Sequence, residues 1–239
     1  MIETNMENKA NALKKTARLA GLLYLILVIT GVYSIMFVSS QIISQGDAAT
    51  TAKNMLANEF IFRTGLINDI FSNIIFVFLV LVLYRLFKQV NERQAKLMVL
   101  LVIVQIPAVF IMEAFNITSL MIYKGEILKT FELNQRQDFA MLFLNINDYG
   151  MVALEVFWGL WLMPFGQLVY KSGFIPRIFG ILLIIAGIAY IVDSTTFMLF
   201  PNYRVFLNQP TLLIVAIGEI SITLWLLVKG TKNTTIEKQ

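Results

Sequence analysis

Residues 178–199 read IFGILLIIAGIAYIVDSTTFML, an apolar run holding one charged residue, Asp193. The chain enters it through the turn Lys171-Ser172-Gly173-Phe174-Ile175-Pro176-Arg177. A helix rising about 1.5 Å per residue needs roughly 20 residues to cross about 30 Å of hydrocarbon, and this run supplies them. Gly173 suits the end of the preceding helix. Pro176 suits the start of the next, where a fixed φ and a missing N–H are no handicap. The stretch therefore predicts two membrane helices joined by a tight hairpin, with a carboxyl carried inside the second.

Five further runs share this character: Leu19 to Val38, Gly65 to Leu83, Leu97 to Ile122, Tyr149 to Val169, and Thr211 to Val228. The expected fold is all-α, a polytopic membrane protein of six transmembrane helices over residues 19–228. Short polar segments, 1–18 and 229–239, precede and follow it. Composition agrees. The chain is 58% hydrophobic and 14% charged, whereas soluble domains are about half apolar and about a quarter charged.

With an even number of spans, both termini lie on one side. Thirteen basic residues fall there: Lys9, Lys14, Lys15, Arg18, Arg85, Lys88, Arg93, Lys96, Lys171, Arg177, Lys229, Lys232 and Lys238. Six fall opposite: Lys53, Arg63, Lys124, Lys129, Arg136 and Arg204. Basic residues accumulate in cytoplasmic loops, so both termini are expected in the cytoplasm. The first apolar run is longer than the roughly 7–15 residues of a signal peptide, and reads as a retained helix.

Two external links are longer than the rest. Ala48, Ala52, Met55, Leu56 and Phe60 recur at helical spacing in the first, and Ile127, Leu128 and Phe131 in the second. Each predicts a short interfacial helix. Tyr84 and Tyr170 at one boundary, and Tyr33, Tyr123, Tyr149 and Tyr203 near the other, fit aromatic belts. Pro107 and Pro164 fall inside spans, where each removes a ladder hydrogen bond and predicts a kink.

The acids carry the functional signal. Asp69, Glu113, Asp148, Glu155, Asp193 and Glu219 lie within the spans or at their mouths. A carboxylate in hydrocarbon costs several kcal/mol unless it is paired or hydrated, so such residues mark candidate sites. No Lys or His accompanies them in the apolar runs, and Arg63, at a span end, is close enough along its helix to neutralise Asp69.

The topology places all six acids between the outer mouth and the midplane. Asp69 and Asn73 stand four residues apart, and Glu113 and Asn116 three, so each pair shares a helix face. Asn145, Asp148 and Glu155 share another, continued by Gly159. The expected site is an outward-facing acidic cavity lined by Asp69, Asn73, Glu113, Asn116, Asp148, Glu155, Asp193 and Glu219, with Glu155 and Glu219 deepest.

Carboxylates and amides without nitrogen or sulfur ligands suit hard cations, protons or cationic organic molecules. The leading function is thus binding or passage of a small cation, proton or cationic substrate. The alternative is a membrane-embedded interaction or regulatory subunit whose acids hold helices together. The absence of Cys and His excludes thiolate chemistry, His-containing zinc motifs and Ser-His-Asp hydrolysis. No G-x-S-x-G, Gly-Asp protease motif or Glu-Glu signature supports an enzyme, and no cofactor is expected. The basic residues flank apolar spans rather than forming a patch, so the partner is the lipid bilayer and not nucleic acid.

Two stretches carry a family resemblance: Ala17-Arg18-Leu19-Ala20-Gly21-Leu22-Leu23-Tyr24-Leu25, and Val169 to Leu183, continuing through Ala186-Gly187 to Tyr190 and Asp193. Glu155 with Trp158, and Pro164-Phe165-Gly166, belong to the same pattern. Together they resemble a bacterial multi-pass membrane family, domain of unknown function 4386, over about residues 10 to 230. The resemblance implies a polytopic architecture and a place in the inner (plasma) membrane. It transfers no catalytic residue.

Overall fold

A computed structural model of the chain describes residues 2–232, and the tail beyond, with Lys238, lies outside the described residues. Helices α1 (Ile2–Val32), α2 (Ser39–Ile42), α3 (Ala48–Ala57), α4 (Glu59–Phe87) and α5 (Glu92–Ile103) come first. Then follow α6 (Ile106–Tyr123), α7 (Leu133–Lys171), α8 (Arg177–Leu199) and α9 (Arg204–Val228). A π-helical turn, Tyr33–Val38, joins α1 to α2, and a 3₁₀ turn, Pro201–Tyr203, leads into α9.

Among the described residues no strand forms, and six helical segments are long and apolar enough to cross a membrane. They are Glu7–Ile42, Glu59–Phe87, Glu92–Tyr123, Leu133–Lys171, Arg177–Leu199 and Pro201–Val228. Each contains one of the six predicted runs. The chain is an all-α, multi-pass membrane protein.

The helices outrun the apolar stretches because polar residues continue them beyond hydrocarbon. The first begins at Ile2, ahead of the apolar run that opens at Leu19. The link 39–64 does contain a helix, α3. Asp47 caps it, its carboxylate accepting from Thr50 N at 2.9 Å and Thr50 Oγ1 at 2.6 Å. Ala52 and Met55 are buried, whereas Leu56 and Phe60 are exposed.

The second predicted link helix does not form. α6 ends in a Schellman motif: Glu126 N donates to Met121 O, Gly125 N donates to Ile122 O, and Gly125 takes φ +71°. Leu128 also lies at positive φ, +52°, which breaks helical continuity where Ile127, Leu128 and Phe131 were expected to align. The helical residues come later. α7 starts at Leu133, well before the expected Tyr149.

Pro107 acts as predicted. Its ring meets the carbonyl four residues back, at Ile103, which is where α5 ends before α6 resumes at Ile106. Pro164 does not interrupt α7. The π turn has a visible cause, since Asn68 Nδ2 donates to Thr30 O at 2.9 Å and draws on a carbonyl the α ladder would otherwise use.

The chain forms two compact units. The first comprises residues up to Ile26, Ile75–Gln105 and everything from Leu154 onward. Its core is aromatic: Trp161 stacks on Phe165 with centroids 5.4 Å apart, Phe76 meets Trp161 edge-on, and Phe87 meets Phe165 edge-on. Helices α7 and α8 touch backbone to backbone. A Cβ added at Gly166 would sit 2.7 Å from Gly180 O, and Gly159 faces Gly187 in the same way two turns further along. The second unit comprises Leu27–Ile74 and Ile106–Ala153. Ile42, Met55, Phe62, Leu120, Ile122 and Leu144 form its core.

Candidate functional site

The expected site residues divide between the units. Glu155, Asp193 and Glu219 belong to the first, and Asp69, Asn73, Glu113, Asn116 and Asp148 to the second.

In the first unit, α9 carries Glu219 past the middle of its length, half-buried. Two tyrosines satisfy it. Tyr24 Oη of α1 donates to Glu219 Oε2 at 2.8 Å, and Tyr190 Oη of α8 donates to Glu219 Oε1 at 3.2 Å. A buried tyrosine hydroxyl needs a partner, and here one carboxyl serves two of them. Trp158 packs edge-on against the Tyr190 ring, centroids 5.7 Å apart.

One turn beyond Tyr190 on α8 stands Asp193, only 3% exposed. It faces Arg204, at the start of α9, and Glu155, on α7, faces the same guanidinium. Arg204 Nε lies 3.5 Å from Asp193 Oδ2, and a terminal nitrogen, Nη2, lies 3.8 Å from Glu155 Oε1. The guanidinium carbon stands 4.7 Å from the Phe197 ring centroid, a cation–π contact. One cation thus bridges two acids. Asp193 Oδ1 is buried with no hydrogen-bond partner among the described residues.

Two arginines depart from the sequence reading. Arg204 stands outside the spans if the last helix begins at Thr211, as the apolar run suggests. That helix begins at Arg204 and carries Pro210 within it, so the arginine enters the acidic set. Arg63, the expected counter-ion of Asp69, instead pairs with Glu59 at 2.8 Å, one turn back along α4. Glu59 also receives Lys124 at 3.2 Å.

In the second unit, Asp69 Oδ1 accepts from Ser34 Oγ at 2.5 Å, and Asn68 Nδ2 donates to Ser34 Oγ at 2.8 Å. Ser34 stands in the π turn, so the distortion and the acid share one network. Asn73 does not join the Asp69 carboxylate. Its Nδ2 donates to the Asp69 backbone carbonyl at 2.8 Å. Asn116 Nδ2 does donate to Glu113 Oε2, at 3.2 Å, as their spacing predicts. Asp148 is exposed.

Among the described residues, no three acidic side chains gather closely enough to hold a metal ion. Sequence reasoning missed Tyr24, Tyr190, Arg204, Ser34 and Asn68 as partners of the acids. Tyr24 and Tyr190 left a trace, each a phenol deep within a span rather than at a belt. Arg204 left none, because its pairing depends on how the α8–α9 connection folds.

The family model described as "Domain of unknown function (DUF4386)" matches residues 19–230, and the chain belongs to that family. An uncharacterized protein of Archaeoglobus fulgidus is 31% identical over 126 residues, covering 53% of this chain and 67% of its own length. No solved structure matches.

Proposed function

We propose that the chain binds a small organic cation in the cell (plasma) membrane, at the carboxylates of Glu155 and Asp193. The observation that carries this reading is the seat of Arg204. A guanidinium held loosely between two acids, against an aromatic ring, marks a place whose charge and shape suit a monovalent cationic group. An inorganic hard cation is the weaker fit, since calcium takes about 6–8 oxygens and two carboxylates supply too few. Glu219 serves as the support of Tyr190, which holds Trp158 beside Glu155.

Both termini lie in the cytoplasm on this reading, as the basic-residue bias favours, and the site opens outward. In the second unit, Asp69, Asn73, Glu113, Asn116 and Asp148 are acid and amide groups that the same reading places in the outer half of their spans. Passage of the cation or of a proton across the membrane would use the same acids.

The test is thermal stabilisation of purified protein by methylammonium, methylguanidinium and tetraethylammonium. At least one should raise the Tm of the native chain, and Glu155→Gln with Asp193→Asn should abolish that rise while the protein still folds. A native chain indifferent to all three sinks the proposal. A second reading, a membrane-embedded interaction or regulatory subunit with structural acids, draws support from Glu219, whose two tyrosine bonds tie α1, α8 and α9 together. It predicts folding defects from every acid substitution and no cation response.

A further inference from the structure

Away from the acids, the first unit carries a hollow of opposite charge. Asn11, Lys14, Lys15 and Arg18 of α1 line a depression of about 290 Å³. Lys14 and Arg18 stand one helical turn apart and project from the same face, with Lys15 beside them.

The end of α9 packs beside it. Arg18 Nη2 donates to Val228 O at 3.0 Å, fixing one cation. Gly230 follows at φ +72°, so close to α1 that an added Cβ would stand 3.1 Å from both Lys14 Cγ and Lys14 O. Gly230 and Thr231 are buried, while Lys229 and Lys232, on either side of them, are exposed.

Among the described residues, no ion pair engages Lys14, Lys15 or Arg18. Three cations crowd one hollow, two more stand on the segment packed beside it, and no carboxylate among the described residues pairs with them. Like charges held this close favour an anion between them. The next residues along α1 are apolar and outward, Leu19 at 47% and Leu22 at 46% exposure. A cationic hollow passing directly into an apolar helix flank suits a molecule with an anionic head and a hydrocarbon tail.

We propose that this hollow binds the phosphate of an anionic phospholipid headgroup, with Lys14 and Lys15 as the phosphate ligands and Arg18 as the fixed point beside them. The flank of α1 at Leu19 and Leu22 receives the acyl chains. This assignment is independent of the cation site.

The experiment titrates phosphatidylglycerol, phosphatidylcholine or inorganic phosphate into detergent-solubilised full-length protein and follows Tm. Phosphatidylglycerol should raise Tm more than phosphatidylcholine does. Lys14→Gln with Lys15→Gln should weaken its apparent affinity about 25-fold, at about fivefold per lysine near a lipid surface. Arg18 is left in place because it holds Val228 O, and Lys15→Gln alone serves if the double variant folds poorly. Lys53→Gln with Lys129→Gln removes the same charge elsewhere and should leave the affinity unchanged. An equal loss in that control, or no preference for phosphatidylglycerol in the native chain, overturns the proposal. Stabilisation by inorganic phosphate equal to that by phosphatidylglycerol overturns the lipid assignment.

Discussion

Tyr24, in the first span, donates a hydrogen bond from its hydroxyl to Glu219, in the last, at 2.8 Å. Tyr190 completes the clasp at 3.2 Å. A buried carboxyl stripped of one donor loses about 1–3 kcal/mol. Tyr24→Phe should therefore lower stability by about that amount, and Tyr190→Phe by less, since its bond is longer. Equilibrium unfolding in mixed micelles measures both. Equal, negligible losses would mean that water replaces the tyrosines and that the clasp is not structural.

The Arg204 bridge predicts a larger effect. Removing one partner of a buried ion pair costs about 3–5 kcal/mol because it leaves charge uncompensated. With the Arg204 side chain 22% exposed, Arg204→Met belongs at the lower end of that range. Adding Asp193→Asn to Arg204→Met should restore part of the loss, and a double-mutant cycle reads the coupling directly. Strict additivity of the two changes would dissolve the bridge.

Accessibility tests the outward opening. The chain contains no cysteine, so single cysteines at Asn73, Asn116 and Glu155 are clean reporters. A membrane-impermeant thiol reagent added outside whole cells should label all three. Complete protection at all three, or labelling only after the membrane is permeabilised, rules out an external approach.

The cap of α3 predicts a pH effect away from the spans. Hydrogen bonds from the Thr50 side chain and amide hold the Asp47 carboxyl below the usual carboxylate range. A carboxyl lowered by folding stabilises at pH above its unfolded value, about 3.9, and loses that contribution as pH falls through the folded value. Amide exchange at Thr50, corrected for intrinsic rate, should accelerate as pH drops below about 4. Asp47→Asn keeps an acceptor and should be insensitive. The same acid response in Asp47→Asn would place the titrating group elsewhere.

The spans were legible because hydrocarbon imposes length and composition on any segment that crosses it, and all six runs lie inside observed helices. The break at Pro107 was legible for a local reason, proline against the Ile103 carbonyl. Helix ends were not, since polar turns such as 133–148 continue α7 at no cost outside lipid. Ile127, Leu128 and Phe131 showed helical spacing, yet the Gly125 turn and the positive φ at Leu128 decided that link. Among the acids, Glu113 with Asn116 followed from spacing on one helix. The bridge from Glu155 through Arg204 to Asp193 joins three helices, and no periodicity along a single helix encodes such a meeting.

The π turn at Tyr33–Val38 gives the first span a property that no side chain supplies. A wider turn stores one more residue than an α-helix of the same rise, so deleting a residue there would let the segment relax into regular α-helix with its two ends still in phase. The same deletion anywhere else in α1 would rotate everything after it by about 100° and swing half of its contacts out of register. Insertions and deletions in this helix are therefore expected to collect at that one turn. There the length of the chain can drift without moving the residues on either side.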